Sequence, residues 1–136
     1  MSVNLCVENI CSLAADKLNR YKDMLDITYM QHVFICDDNT VRLLSNIELR
    51  QKVIEEIELL DKRIADSESH DKAEYLKIEQ EIAAVQREIA KQDRINEAAA
   101  RNKILEYSNA IKKNSNTRKS FAYVSATTYS NNNYMM

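Results

Sequence analysis

The chain has 136 residues, 45% of them hydrophobic and 29% charged, with a formal charge of −2 and no glycine, proline or tryptophan. Without glycine, tight hairpin turns, phosphate-cradling loops and dinucleotide fingerprints lose the residue that reaches their backbone conformations unstrained. This excludes β-sandwiches, Rossmann units and P-loop folds, while the apolar share excludes a fully disordered chain; one all-α domain of a few long helices remains.

The first expected helix spans residues 8–35. Ile10, Ala14, Leu18, Tyr21, Leu25, Thr28, His32 and Ile35 follow one another at steps of three and four, and Leu13 and Met24 widen the stripe. At 1.5 Å per residue this helix is roughly 40 Å long. Asp16 and Arg20, four apart on the polar side, form a weakly favourable pair. Residues 36–39, Cys-Asp-Asp-Asn, interrupt the stripe with side chains that cap a new helix. The second helix is expected to turn Leu44, Ile47, Gln51, Ile54, Ile57, Leu60 and Ile64 inward. So short a connection makes the pair an antiparallel hairpin.

Residues 65–71 form a second polar break, and a third helix begins near Asp71. Its stripe reads Tyr75, Ile78, Ile82, Val85, Ile89, Asn96, Ala100, Ile104, Tyr107 and Ile111. Unbroken to Lys113 it spans about 64 Å, some 24 Å more than the hairpin. From Ile95 onward a second apolar set forms on the opposite side: Ile95, Ala98 and Leu105, with Ala99 at its edge. A helix that is apolar on two faces needs two neighbours. The segment therefore docks a partner, self-associates, or folds back through a break near residues 93–96; the residues leave all three open. Gln51, Gln92 and Asn96 interrupt apolar stripes, either as buried amides that fix register or as residues at a stripe's edge.

Beyond Lys113 asparagine, serine and threonine dominate, with Phe121, Tyr123, Tyr129 and Tyr134 scattered among them. Nothing alternates, which reads as a flexible tail. The expected organisation is a three-helix bundle or coiled coil over residues 1–113 and a tail over 114–136. No acidic residue follows Glu106, so the body is acidic and the end basic.

An acidic body lacks the basic stripe of a nucleic-acid surface. The N-terminus does not read as a signal peptide, and no run approaches the roughly 18 apolar residues of a membrane span. Cys6, Cys11 and Cys36, odd in number and without metal-type spacing, fit small apolar residues in a reducing compartment, so a cytoplasmic location is expected. His32 and Cys36 could set two metal ligands side by side but fall short of the four of a structural zinc site. His70 lies in the polar break. No serine or cysteine has a visible base and orienter, so neither an enzyme nor a cofactor or metal is expected.

Leu25-Asp26-Ile27-Thr28, Gln31, Ile35, Asp38, Leu44, Ile47, Arg50-Gln51, Ile54, Ile57 and Leu60-Asp61 together resemble the flagellar type III export chaperones of the FlgN/FliT kind. The resemblance covers residues 18–61, and the third helix only in length and stripe. It implies a cytoplasmic chaperone that binds a terminal helical segment of a hook-associated or filament-cap protein. Such a chaperone prevents early assembly and hands its client to the export apparatus. The family's client contact on the last long helix maps here onto Ile95, Ala98, Ala99, Leu105, Tyr107 and Ile111. The alternative is a structural coiled-coil subunit, a homodimer formed through the third helix.

Overall fold

The computed structural model describes residues 9–67 and 72–135, with side chains through residue 116. They form three helices, α1 (Ile10–Cys36), α2 (Thr40–Ala65) and α3 (Lys72–Met135), with no strand among the described residues. The chain divides into two compact units, Met1–Ala99 and Ala100–Met136.

In the first unit each of the first two helices starts where a side chain satisfies its free N–H groups. The Asn9 side chain accepts from the Cys11 N–H at 2.9 Å, and that of Asn39 from the Arg42 N–H at 3.2 Å. Between α1 and α2 the chain reverses through Asp37, Asp38 and Asn39. Asp38 takes the left-handed conformation, φ 56°, which glycine usually fills and which aspartate tolerates better than most residues. Lys17 pairs with Asp61 and Arg20 with Glu56, while Asn46 reaches the Ile27 carbonyl, so α2 descends as α1 rises. Asn96 bonds the Thr28 carbonyl and Asp93 holds Arg50, which runs α3 parallel to α1. The 27 residues of α1, the 26 of α2 and residues 72–99 of α3 are each about 40 Å long, so the three lengths match.

The core is a cluster of Met24 and Ile27 from α1, Val53 and Ile57 from α2, and Ile89 from α3. Tyr21, Leu25, Ile54 and Val85 pack against it. Burying one such side chain stabilises by roughly 1.5–3 kcal/mol, enough to fix which face of each helix turns inward. On α1 the expected stripe lies inward throughout, with Ile10, Ala14, Leu18 and Thr28 buried and Tyr21, Leu25, His32 and Ile35 half-buried. On α2 the expectation fails in the first half. Leu44 and Ile47 are 57% and 48% exposed, and Gln51 is exposed as well. The inner row there is Asn46, Arg50, Val53, Ile57 and Leu60, at steps of three and four. Hydrogen-bonding groups on α1 and α3 meet this end of α2, so amide and guanidinium groups point in and two large aliphatic residues point out.

On α3 the inner row is the expected one, Tyr75, Ile78, Ile82, Val85, Ile89 and Asn96. The helix passes unbroken through residues 93–96, so no fold-back occurs there. Nor does it stop at Lys113. Residues 114–135, whose composition reads as a tail, are helical; no glycine or proline interrupts the backbone there. The expected start at Asp71, together with Cys6 and His70, lies outside the described residues.

Near the start of α3 the Tyr75 phenol is pushed up to about 12, chiefly by its hydrogen bond to Glu79, then by burial and by the charges of Glu79 and Asp61. Below pH 10 the folded and unfolded chains both keep this proton. Between about 10 and 12 only the unfolded chain releases it, so stability is lost as pH rises through that window. Alkaline absorbance titration is expected to show one tyrosine ionising near 12, and Glu79→Ala to return it towards 10.

Candidate functional site

Two groups of side chains in the first unit lie outside the aliphatic core. The first is a polar layer near the α1–α2 turn. Thr28, fully buried, donates its hydroxyl to the Met24 carbonyl at 2.7 Å. Asn96, 5% exposed, donates from Nδ2 to the Thr28 carbonyl at 2.8 Å and accepts from Gln92 Nε2 at 2.9 Å. Arg50 grips Asp93 with two bonds of 2.6 and 2.9 Å, a bidentate fork that ties α2 to α3. Accepting both bonds, the Asp93 carboxylate raises the Arg50 pKa above its ordinary value, against the opposing effect of burial. Asn96 is thus the buried, register-fixing amide of the two readings, while the exposed Gln51 is the edge residue. Asn46 Oδ1 and His32 Nδ1 are buried here without a hydrogen-bond partner among the described residues.

His32 Nε2 lies 3.5 Å from Cys36 Sγ. No group of three metal-binding side chains forms among the described residues, so this pair gains no further ligands from them.

The second group is an open groove of about 380 Å³ along the outer seam of the hairpin. Ile27, Met30 and Phe34 of α1 face Asn46 and Leu49 of α2 across it, with Asp26 and Arg42 in its walls. Met30 and Leu49 are 43% and 50% exposed. Two further hollows continue the seam along α1 and α2, lined increasingly by charged residues such as Arg20, Asp23 and Glu56. Sequence reasoning missed this groove because Met30 and Leu49 lie off the stripes it followed. Ile27, Met30 and Phe34 nevertheless repeat at three and four beside the core stripe, which was the signal for it.

Of the six residues expected to bind a partner, Ile95 (43% exposed) and Ala98 face outward in the first unit, and Ala99 is half-buried. In the second unit Leu105, Tyr107 and Ile111 are 59%, 51% and 67% exposed, with Ile104 at 66%. They do not share one face. At 100° per residue Ile104, Tyr107 and Ile111 form one row, and Leu105 stands about 100° round the helix from Ile104.

The chain matches no protein-family model, no curated protein and no solved structure. Its class rests on geometry alone. The described residues form helices and turns alone, the first unit is a three-helix bundle, and the long third helix carries large apolar side chains in the open. No helix among the described residues is long and apolar enough to cross a membrane.

Proposed function

We propose that this protein is a chaperone that docks an amphipathic helix of a client protein on α3. The observation that carries the reading is the row of Ile104, Tyr107 and Ile111, 66%, 51% and 67% exposed, with Leu105 beside it at 59%. Isolated exposed apolar residues are ordinary, but several on one helix, recurring at helical spacing, form the kind of surface on which a partner's helix buries its own apolar face. The hairpin pattern from Leu25 to Asp61 supports the narrower reading of a cytoplasmic flagellar export chaperone. Its clients would be hook-associated or filament-cap proteins held unassembled until the export apparatus takes them.

The test is co-purification with those proteins from the native host. A complex is expected with at least one of them, and Leu105→Glu should weaken it by at least about tenfold, or 1.4 kcal/mol, while helix content stays unchanged. No complex with any of them, with α3 intact, overturns the export reading. A complex indifferent to Leu105→Glu overturns the docking surface.

A further inference from the structure

The outer groove of the hairpin holds a greasy floor two helical turns long, and nothing among the described residues of the first unit covers Met30 or Leu49. We propose that its occupant is the second unit of another copy of this chain, with Ile104, Tyr107 and Ile111 seated against Ile27, Met30, Phe34 and Leu49. Three observations carry the pairing.

First, the two surfaces have the same period and length. Ile27, Met30 and Phe34 step by three and then four, and so do Ile104, Tyr107 and Ile111. Two helices meeting through such rows interdigitate over two turns.

Second, the charges are segregated. Residues 1–99 carry 13 lysines and arginines against 20 acidic residues, net −7. Residues 100–136 carry six against one, net +5. Close to the row itself stand Arg101, Lys103, Lys112 and Lys113 against Glu106 alone. The groove's own walls hold Asp26 and Arg42, one charge of each sign, so the attraction comes from the acidic unit as a whole. Arg20, further along the seam, is engaged by Glu56 and Asp23. A basic helix is therefore steered to the acidic unit of another copy and away from that copy's basic end.

Third, the area suits a reciprocal dimer. Each large side chain in the row offers on the order of 100 Å² to a partner. One row in one groove, below the roughly 1,000 Å² of a stable specific interface, associates weakly, and two related by a two-fold axis approach that area. Each copy gives its basic row and receives the other's. The pairing needs no client and stands whether or not one exists.

The test is light scattering on the full chain over a concentration series. A dimer is expected, weakened by at least about tenfold when salt is raised, because its steering and part of its attraction are screened. Met30→Glu and Ile111→Glu, both at exposed positions, should each give a helical monomer. Mixing these two variants should restore a weaker heterodimer, detected by fluorescence of one labelled chain. In that mixture the Met30→Glu chain still has its row and the Ile111→Glu chain still has its groove. A wild-type monomer at every concentration overturns the pairing, as does a mixture that stays monomeric. A dimer lost with Ile111→Glu but untouched by Met30→Glu also overturns it, since α3 then pairs with α3. The client and the second copy compete for Tyr107 and Ile111, so Met30→Glu, which frees that row, should keep or strengthen client binding on α3, and failure of the dimer and failure of the docking reading give separate results.

Discussion

Asn96→Asp is expected to destabilise the first unit by about 3 kcal/mol or more at neutral pH, read as a fall in the urea midpoint. Asn96 is 5% exposed, and its Nδ2 donates to the Thr28 carbonyl at 2.8 Å. A carboxylate has no donor to offer at that position. It sets two acceptors face to face, buries a charge, and places that charge one turn from Asp93, which already serves Arg50. The pH dependence has a definite sign. Burial and the facing carbonyl raise the introduced carboxyl's folded pKa above its unfolded value near 4. Its protonated form can donate to Thr28 again. The defect should therefore be full above the raised pKa and shrink as pH falls towards 4. Asn96→Leu is expected to behave differently, changing stability little while loosening the register that the amide enforces. A neutral-pH penalty for Asn96→Asp below about 1 kcal/mol would mean that water reaches the layer and that the amide does not fix the helices' register.

Much of this architecture is readable from spacing, and the failures have a common cause. The α1 stripe from Ile10 to Ile35 and the α3 stripe from Tyr75 to Asn96 lie inward because their period is sustained and mostly apolar. The α1–α2 turn is legible because aspartate and asparagine interrupt the α1 stripe and an asparagine caps α2. The first half of α2 misleads because hydrophobicity and inward position part company there. Leu44 and Ile47 suggest one row, while the strict alternation of Asn46, Arg50, Val53, Ile57 and Leu60 defines another. The inward residues of that row become readable only with their partners, the Ile27 carbonyl and the Asp93 carboxylate, 19 and 43 residues away in sequence. The helical state of residues 114–135 has a similar origin. Composition argued for a tail, but no residue there forbids the helix from continuing.

Ile89→Ala and Ile104→Ala remove the same hydrocarbon from the same helix, yet their expected effects differ widely. Ile89 is 6% exposed and meets Met24, Ile27, Val53 and Ile57, so its truncation leaves a cavity lined by all three helices. A loss of about 2–5 kcal/mol is expected in chemical denaturation. Ile104 is 66% exposed, and its truncation should stay within about 0.5 kcal/mol. The difference traces to the spacing of the row. Up to Asn96 the buried residues Ile82, Ile89 and Asn96 recur every seven positions, and the next such position is Lys103. The isoleucine comes one residue later, about 100° further round the helix, and Tyr107 and Ile111 keep the shifted phase. A sequence that needed more aliphatic bulk in its bundle would have placed it in the unshifted row. Measured in isolation, the second row should therefore be silent in stability and audible only when a binding helix is added. Were Ile104→Ala to cost more than about 1 kcal/mol in the monomer, that row would already be covered within one chain, and both the client and the second copy would lose the surface assigned to them.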